Sequence, residues 1–399
     1  MATELPDIVV KPGEGDAGTG GVTGQQQQAL DQASGGAGSG TAGGVGAGGG
    51  SAITKGIAPE NGWVEINGQR FQVIHCSVKF TSTGADNRLD AKLPLTPKGY
   101  FETLVPLTGN DQKISAIVQG QSGTFTLMQE ATIKEIVFEL THTTINIAAF
   151  GGLYKLAEHK TTDTWTNKKG HEIVGDLVQR VGLQYSSTPS KVMAGKKTGK
   201  DYVKLTNGDS YFTVAHMLGQ LDGRRLFMDE NNVVNYKPAG SNGDSYSVHW
   251  KKPDASHPMV SDCLDIRVRH NLDASAPRQV TVSGWKHSEK KNNTATYTAP
   301  GTGTPVQDYQ EVPNVEPTQA QEYALNKAEQ GSSHEWELQV TVVGDPSIKV
   351  AGNIQLSGTG TVMDQTYPID TVTHNFGING YTTTVNSKGK KGGNGGGGG

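Results

Sequence analysis

The chain has 399 residues, of which 54 are glycine and only 34% are hydrophobic, and its formal net charge is -4 at pH 7. That length allows two or three domains, but the glycine content places part of the chain outside any packed core. The charge balance gives no reason to expect a nucleic-acid clamp, which needs Lys and Arg clustered on one face. The basic clusters Lys196-Lys197, Lys251-Lys252 and Lys286 to Lys291 are short, lie in loop-like sequence and read as solvated turns. Two cysteines, Cys76 and Cys263, are too few for a disulfide scaffold, and a reducing compartment is expected. No apolar run approaches the roughly 20 residues of a membrane span. The opening "MATELPDIVV" lacks the basic and apolar regions of a secretory signal. The expectation is a soluble protein made in a cytoplasm that does not bind membranes by itself.

In chain order, residues 1–59 form a Gly/Ala/Gln-rich arm that cannot bury enough surface to offset its ordering entropy. Residues 60–150 read as a β-rich unit. "GWVEINGQRFQVIHCSVKF" holds two strands around an Asn67-Gly68 turn. "STGADNRLDAKLPLTPKG", with two prolines, reads as a loop. "DQKISAIVQ", "GTFTLM" and "KEIVFELTHTTINIAAF" read as strands, the last with Ile136, Phe138 and Leu140 on one face. Residues 151–255 read as α+β. Ile173, Val174, Leu177, Val178 and Val181 form one stripe of a helix ended by Gly182. A second helix is capped by Asp209 or Ser210, turns Tyr211, Val214, Leu218 and Leu221 inward and stops at Gly223, and a hairpin around Asp229 to Asn232 follows. Residues 256–386 return to strands: "CLDIRVRHNL", "RQVTVSGW", "EWELQVTVV" and the run from Gly352 to Val385. A polar Gly/Pro-rich insert runs from Lys286 to about Pro317. Then comes a helix with Thr318 as N-cap, Gln321 as capping-box partner, Ala320, Ala324 and Ala328 on a small-residue face, and Gly331 as its end. Residues 387–399 read as a flexible Gly/Lys tail.

Most chemistry-bearing patterns fail on spacing. Gly358-Thr359-Gly360 lacks the third glycine of a dinucleotide loop, where Met363 stands, and no helix follows, so it reads as a turn between strands. "AGKKTGKD" at 194–201 approximates a P-loop but has Ala194 for the first glycine and Asp201 for the Ser/Thr. "HEWELQ" has no second histidine, and "DENN" lacks the glycine and distal glutamate of a calcium loop. "DCLD" offers Cys263 as a nucleophile with His334 as base, and Asp262 and Asp265 as paired acids. Cys263 runs into a strand, however, and not into a helix N-terminus that would lower its pKa, so a structural thiol is the better reading. No catalytic, cofactor or metal constellation is expected.

The order of elements is more informative. A β-rich unit precedes a helix ending "VGL", the helix "YFTVAHMLGQLDG" feeding the hairpin "RLFMDENNVVNYKP", then "DIRVRHNL", "VTVSGW" and an Ala-rich helix. In "VAGNIQLSGTGTVMDQTYPIDTVTHNFGINGYTTTV", G-x-x-I-x-L-S-G-T-G leads into Y-x-I-x-x-V-x-H and then G-Y-x-T-x-V. From Trp63 to Val385 this order resembles bacteriophage tail or baseplate hub proteins of the late-control gene D type, and the hub half of the type VI secretion spike protein. The resemblance implies an α+β, predominantly β fold with two tail-tube-like β-barrel domains, an α+β domain between them and flexible Gly-rich termini. It also implies a homotrimer in the virion baseplate, assembled in the host cytoplasm. Its six barrels would match the six-fold tail tube protein above and its three-fold axis the spike protein below, a separate chain. The lumen would pass DNA or the tape measure protein, and the N-terminal arm would lie against the hub or other baseplate proteins. The alternatives are a peptidoglycan-active tail enzyme using Cys263 and His334, or another tube or spike-associated component.

Overall fold

The computed structural model describes residues 61–390 except 96–98, 110, 121–122, 166–167, 191–202, 205–208, 242, 287–289 and 313–314. The fold is α+β and predominantly β. It begins as the sequence predicts: strands Asn61–Ile66 and Gln69–Gln72 are joined by Asn67 and Gly68, both at positive φ as a tight hairpin requires. From there a 14-stranded sheet grows through Lys113–Gly120, Gly123–Glu139, Thr144–Phe150, Arg88–Pro94 and His75–Thr81. It then passes directly to Thr366–Gly377, whose Thr371 to Gly377 pair antiparallel with Thr81 to His75. Beyond lie Asn353–Ser357 and Ser245–Lys251. On its other edge Thr366–Gly377 pairs with Gly380–Gly389, which leads to Trp336–Val343 and Asp265–His270. The first and last β-rich segments thus share one sheet and one core, and among the described residues no sheet closes into a barrel.

Three sequence expectations are corrected. The stretch that reads as a two-proline loop contains the strand Arg88–Pro94. Leu89, Ala91 and Leu93 point into the core and Arg88, Asp90 and Lys92 point outward, a period-2 pattern that Pro94, its last residue, and Pro97 just beyond obscure. The run "KEIVFELTHTTINIAAF" is two strands, because the chain reverses after Glu139 through Thr143 at φ 51°, which leaves Leu140 64% exposed. The polar insert contains strands Lys291–Ala299 and Val306–Glu311, which flank Arg278–Lys286 in a separate three-stranded sheet. Only one face of that sheet is covered, so its other positions are polar and read as loop.

The helices follow their caps. Gly170–Arg180 and Tyr211–Asp222 bury the expected stripes, Ser210 Oγ accepts from Thr213 N at 3.1 Å, and Gly223 ends the second helix in the left-handed region. The last helix spans Pro317–Ser332. Its cap is Glu316, with Gln319 Oε1 accepting from Glu316 N at 3.2 Å, in place of Thr318 and Gln321, and it runs past Gly331. Pro317 explains the earlier start, since the first helical position has no N–H to lose and proline presets its φ. Ala320, Ala324 and Ala328 are fully buried against the three-stranded sheet, as their spacing predicts. On the same sheet Gly284 makes room for the chain that leads into this helix: a Cβ there would sit 1.9 Å from the Val312 carbonyl oxygen. Gly284→Ala should therefore cost about 2 kcal/mol, because the obstacle is backbone and cannot rotate away, and chemical denaturation measures it.

Candidate functional site

The three parts of the chain meet at one cleft of about 290 Å³, lined by residues including Ser82, His216, Arg225, His334, Asp370 and Lys388. Its centre is a β-bulge. Along Thr366–Gly377 the buried positions are Tyr367 and Ile369, then Asp370, then Val372, His374 and Phe376. The parity of the core positions switches at Asp370, where the register with the next strand also slips. The bulge turns Asp370 into the cleft, where it is 5% exposed. Arg225, from the hairpin strand Arg224–Met228, donates to the Asp370 carboxylate and, at 2.7 Å, to Ser82 Oγ. Ser82 follows His75–Thr81, and its backbone N donates to the Asp370 carbonyl at 2.8 Å. Lys388 Nζ stands 4.0 Å from the same carboxylate. One arginine of the middle segment therefore fastens the first and last β-rich segments to each other.

The hairpin Arg224–Pro238 makes further attachments. Asn87 Nδ2 donates to the Met228 carbonyl at 2.9 Å in a buried position. At the hairpin tip Asn232 Nδ2 donates to the Gln129 carbonyl at 2.6 Å, and Glu230 pairs with Lys349. Within the "DENN" turn Asp229 is consumed by the hairpin itself: its Oδ1 accepts from Asn231 N and Val233 N at 3.0 and 2.9 Å, and Oδ2 from Asn235 Nδ2 at 3.1 Å. Beside it, Asp86 accepts from Asn87 N at 2.9 Å and Tyr154 N at 2.9 Å. Burial nevertheless dominates and pushes its carboxyl up to about 6.

The enzymatic pair is not brought together. His334 lines the cleft, and burial, with Lys388 and Arg225 nearby, holds its imidazole below the usual range against the pull of Asp370 and Glu337. Cys263 lies at the opposite end of the Asp265–His270/Trp336–Val343 ladder, where Leu264 N donates to the Thr341 carbonyl. Thr341 and Trp336 are five positions apart on an extended strand, about 16 Å along it, and His334 lies beyond Trp336 at the far end. The sulfur instead contacts Ser261 Oγ at 3.0 Å. Asp262 accepts from His249 N and Asp265 is exposed on its strand, so they do not form an acid pair facing a common site. Among the described residues no group of three or more His, Cys, Asp or Glu is placed to hold a metal. The P-loop-like 194–201 segment lies outside the described residues.

The Gly358-Thr359-Gly360 segment is a turn between strands, as its spacing predicts, with Gly358 and Gly360 at φ 91° and 66°. Its N–H groups do converge on an anion, but the anion is the chain's own Asp364, which accepts from Thr359 N, Thr359 Oγ1 and Gly360 N at 3.0, 2.7 and 2.9 Å. Burial opposes ionisation, and these hydrogen bonds outweigh it and hold the carboxyl below its usual range. Asp364→Ala should lower stability by about 1 kcal/mol. It should create no affinity for inorganic phosphate, which a titration monitored by calorimetry checks.

Arg225, Ser82 and Asp370 were not singled out from sequence. The available signal is the parity switch in "TYPIDTVTHNF", where a charged residue sits between two inward-facing sets that are one residue out of phase.

No family model and no curated protein sequence matches the chain. Solved structures do. The chain is similar to the 43 kDa tail protein of prophage MuSo2 from Shewanella oneidensis (TM-score 0.61, 11% identity, covering 82% of this chain and 98% of that one). It is similar to a tail protein from Neisseria meningitidis MC58 (TM-score 0.64, 9% identity, 82% and 96%). A component of the E. coli type VI secretion system also matches (TM-score 0.50, 11% identity, 82% and 76%). At these identities the likeness is one of fold, and the chain has the fold of phage tail proteins.

Proposed function

We propose that the chain is a structural component of a phage tail baseplate, acting as its hub. The observation that carries this reading is the tail-protein fold, shared over 82% of the chain with nearly full-length neighbours. In this reading three copies assemble into a ring. The two β-rich segments of each copy are its two tube-like units, giving six around the ring, to match a six-fold tail tube on one side and a three-fold spike on the other. Strand edges that are open in the single chain become contacts between copies, which removes a hazard for aggregation. The lumen passes DNA or the tape measure protein, and the N-terminal arm contacts other baseplate chains. The Arg225 clamp suits this role, because a hub must move as one body when load passes from tube to spike. Light scattering of the purified protein should give three times the 42.2 kDa chain mass. A monomer at all concentrations tested would count against the ring.

A further inference from the structure

The three-stranded sheet built from Arg278–Lys286, Lys291–Ala299 and Val306–Glu311 has one face on the helix Pro317–Ser332 and the other open to solvent. Two large aromatics stand on the open face, Trp285 at 53% and Tyr309 at 73% exposure. Such side chains cost free energy when left in water, and both present a flat π-face to a ligand lying across the sheet. The register places Tyr309 beside Thr281, four residues along the strand from Trp285, so the rings are about 14 Å apart on the same face. Between and beside them the side chains are short hydroxyls and an amide. Thr281 and Thr296 share a hydrogen bond at 3.0 Å, Ser283 faces Thr294, and Trp285 faces Asn292. Glu311 is the one carboxylate in these cross-strand rows, and no Lys or Arg stands in them.

We propose that this face binds an extended neutral polysaccharide. The C–H faces of a pyranose ring carry partial positive charge and pack on the negative face of Trp or Tyr. The hydroxyl and amide side chains between the two platforms match a ligand whose polar groups are neutral and repeat along its length. A nucleic acid needs cations along its track, and these cross-strand rows hold none. A protein partner would use clustered anchors seated in a desolvated pocket, whereas these two rings are separated on a flat strand surface.

The test uses the purified full chain with cellohexaose, maltohexaose and the hexamer of N-acetylglucosamine, read by calorimetry and by tryptophan fluorescence. At least one should bind saturably, with affinity unchanged in high salt because the ligand is neutral. Trp285→Ala and Tyr309→Ala should each weaken it about tenfold or more, as loss of an aromatic anchor does. Both side chains are exposed, so the variants should keep the wild-type circular dichroism and melting temperature, and Tyr309→Ala has the less packing to lose. Absence of binding by all three glycans, or binding that survives both substitutions, overturns the proposal. So does a Trp285→Ala variant that alters the association of the chain with itself while leaving glycan binding intact, since the face would then be a protein interface.

Discussion

Replacing Arg225 with methionine should lower the unfolding free energy by about 3 kcal/mol, the loss expected when one partner of a buried pair is removed and the other charge stays behind. Asp370 cannot reach water by rotating, because the bulge holds it 5% exposed in the cleft, and Ser82 beside it is fully buried. Lys388 at 4.0 Å compensates in part, so Arg225→Met combined with Lys388→Met should lose more than the first change alone. Asp370→Asn in the Arg225→Met background should recover part of the loss by removing the stranded charge. Urea unfolding of these three variants, with the Lys388→Met and Asp370→Asn single variants that complete the cycles, measures these couplings. A loss below about 0.5 kcal/mol for Arg225→Met, the range of ordinary surface changes, would show that the clamp does not hold the segments together.

Acid should destabilise the fold through His374. Its ring is buried between Phe80 and Tyr381, with Nδ1 hydrogen-bonded to Tyr381 Oη at 2.8 Å, and burial pushes its pKa from 6.5 down to about 3. The unfolded chain takes up the proton near pH 6.5, while the folded chain resists until about pH 3. The stability tied to this residue is therefore complete above pH 6.5 and is lost as pH falls toward 3, at about 1.4 kcal/mol per pH unit. Asp86 acts in the opposite sense. Its carboxyl is raised to about 6, so it gains a proton in the folded state first and offsets part of the loss between about pH 6 and pH 4. The difference between wild type and His374→Gln isolates the histidine: the variant should show a shallower fall in stability from pH 6.5 downward, measured by denaturant midpoints at successive pH values. Parallel curves for the two proteins would mean that water reaches the imidazole in the folded state.

Much of the fold was legible because the decisive signals are local. Asn67-Gly68 demands its hairpin, Ser210 and Gly223 bracket their helix, and Trp336, Leu338, Val340 and Val342 alternate without interruption. Misreadings arose where two local signals compete. In Arg88–Pro94, a terminal proline and a second one at Pro97 mask an alternation carried by one alanine and two leucines. In Lys291–Ala299, asparagine and threonine on an uncovered face imitate a loop. The joining of the two β-rich segments depends on Thr366–Gly377 pairing with a strand almost 300 residues earlier, and no local pattern encodes a partner at that distance. The clamp was missed for the same reason, since Ser82, Arg225 and Asp370 acquire meaning only once that pairing brings them within hydrogen-bond reach.

The hub reading is tested most directly by locating this chain in an assembled particle. Electron microscopy of purified tails, with a fused tag or bound antibody fragment marking the chain, should show three copies in a ring at the junction of tube and spike. Label along the length of the tube, a number of copies other than three, or tails that carry no label at that junction would contradict it.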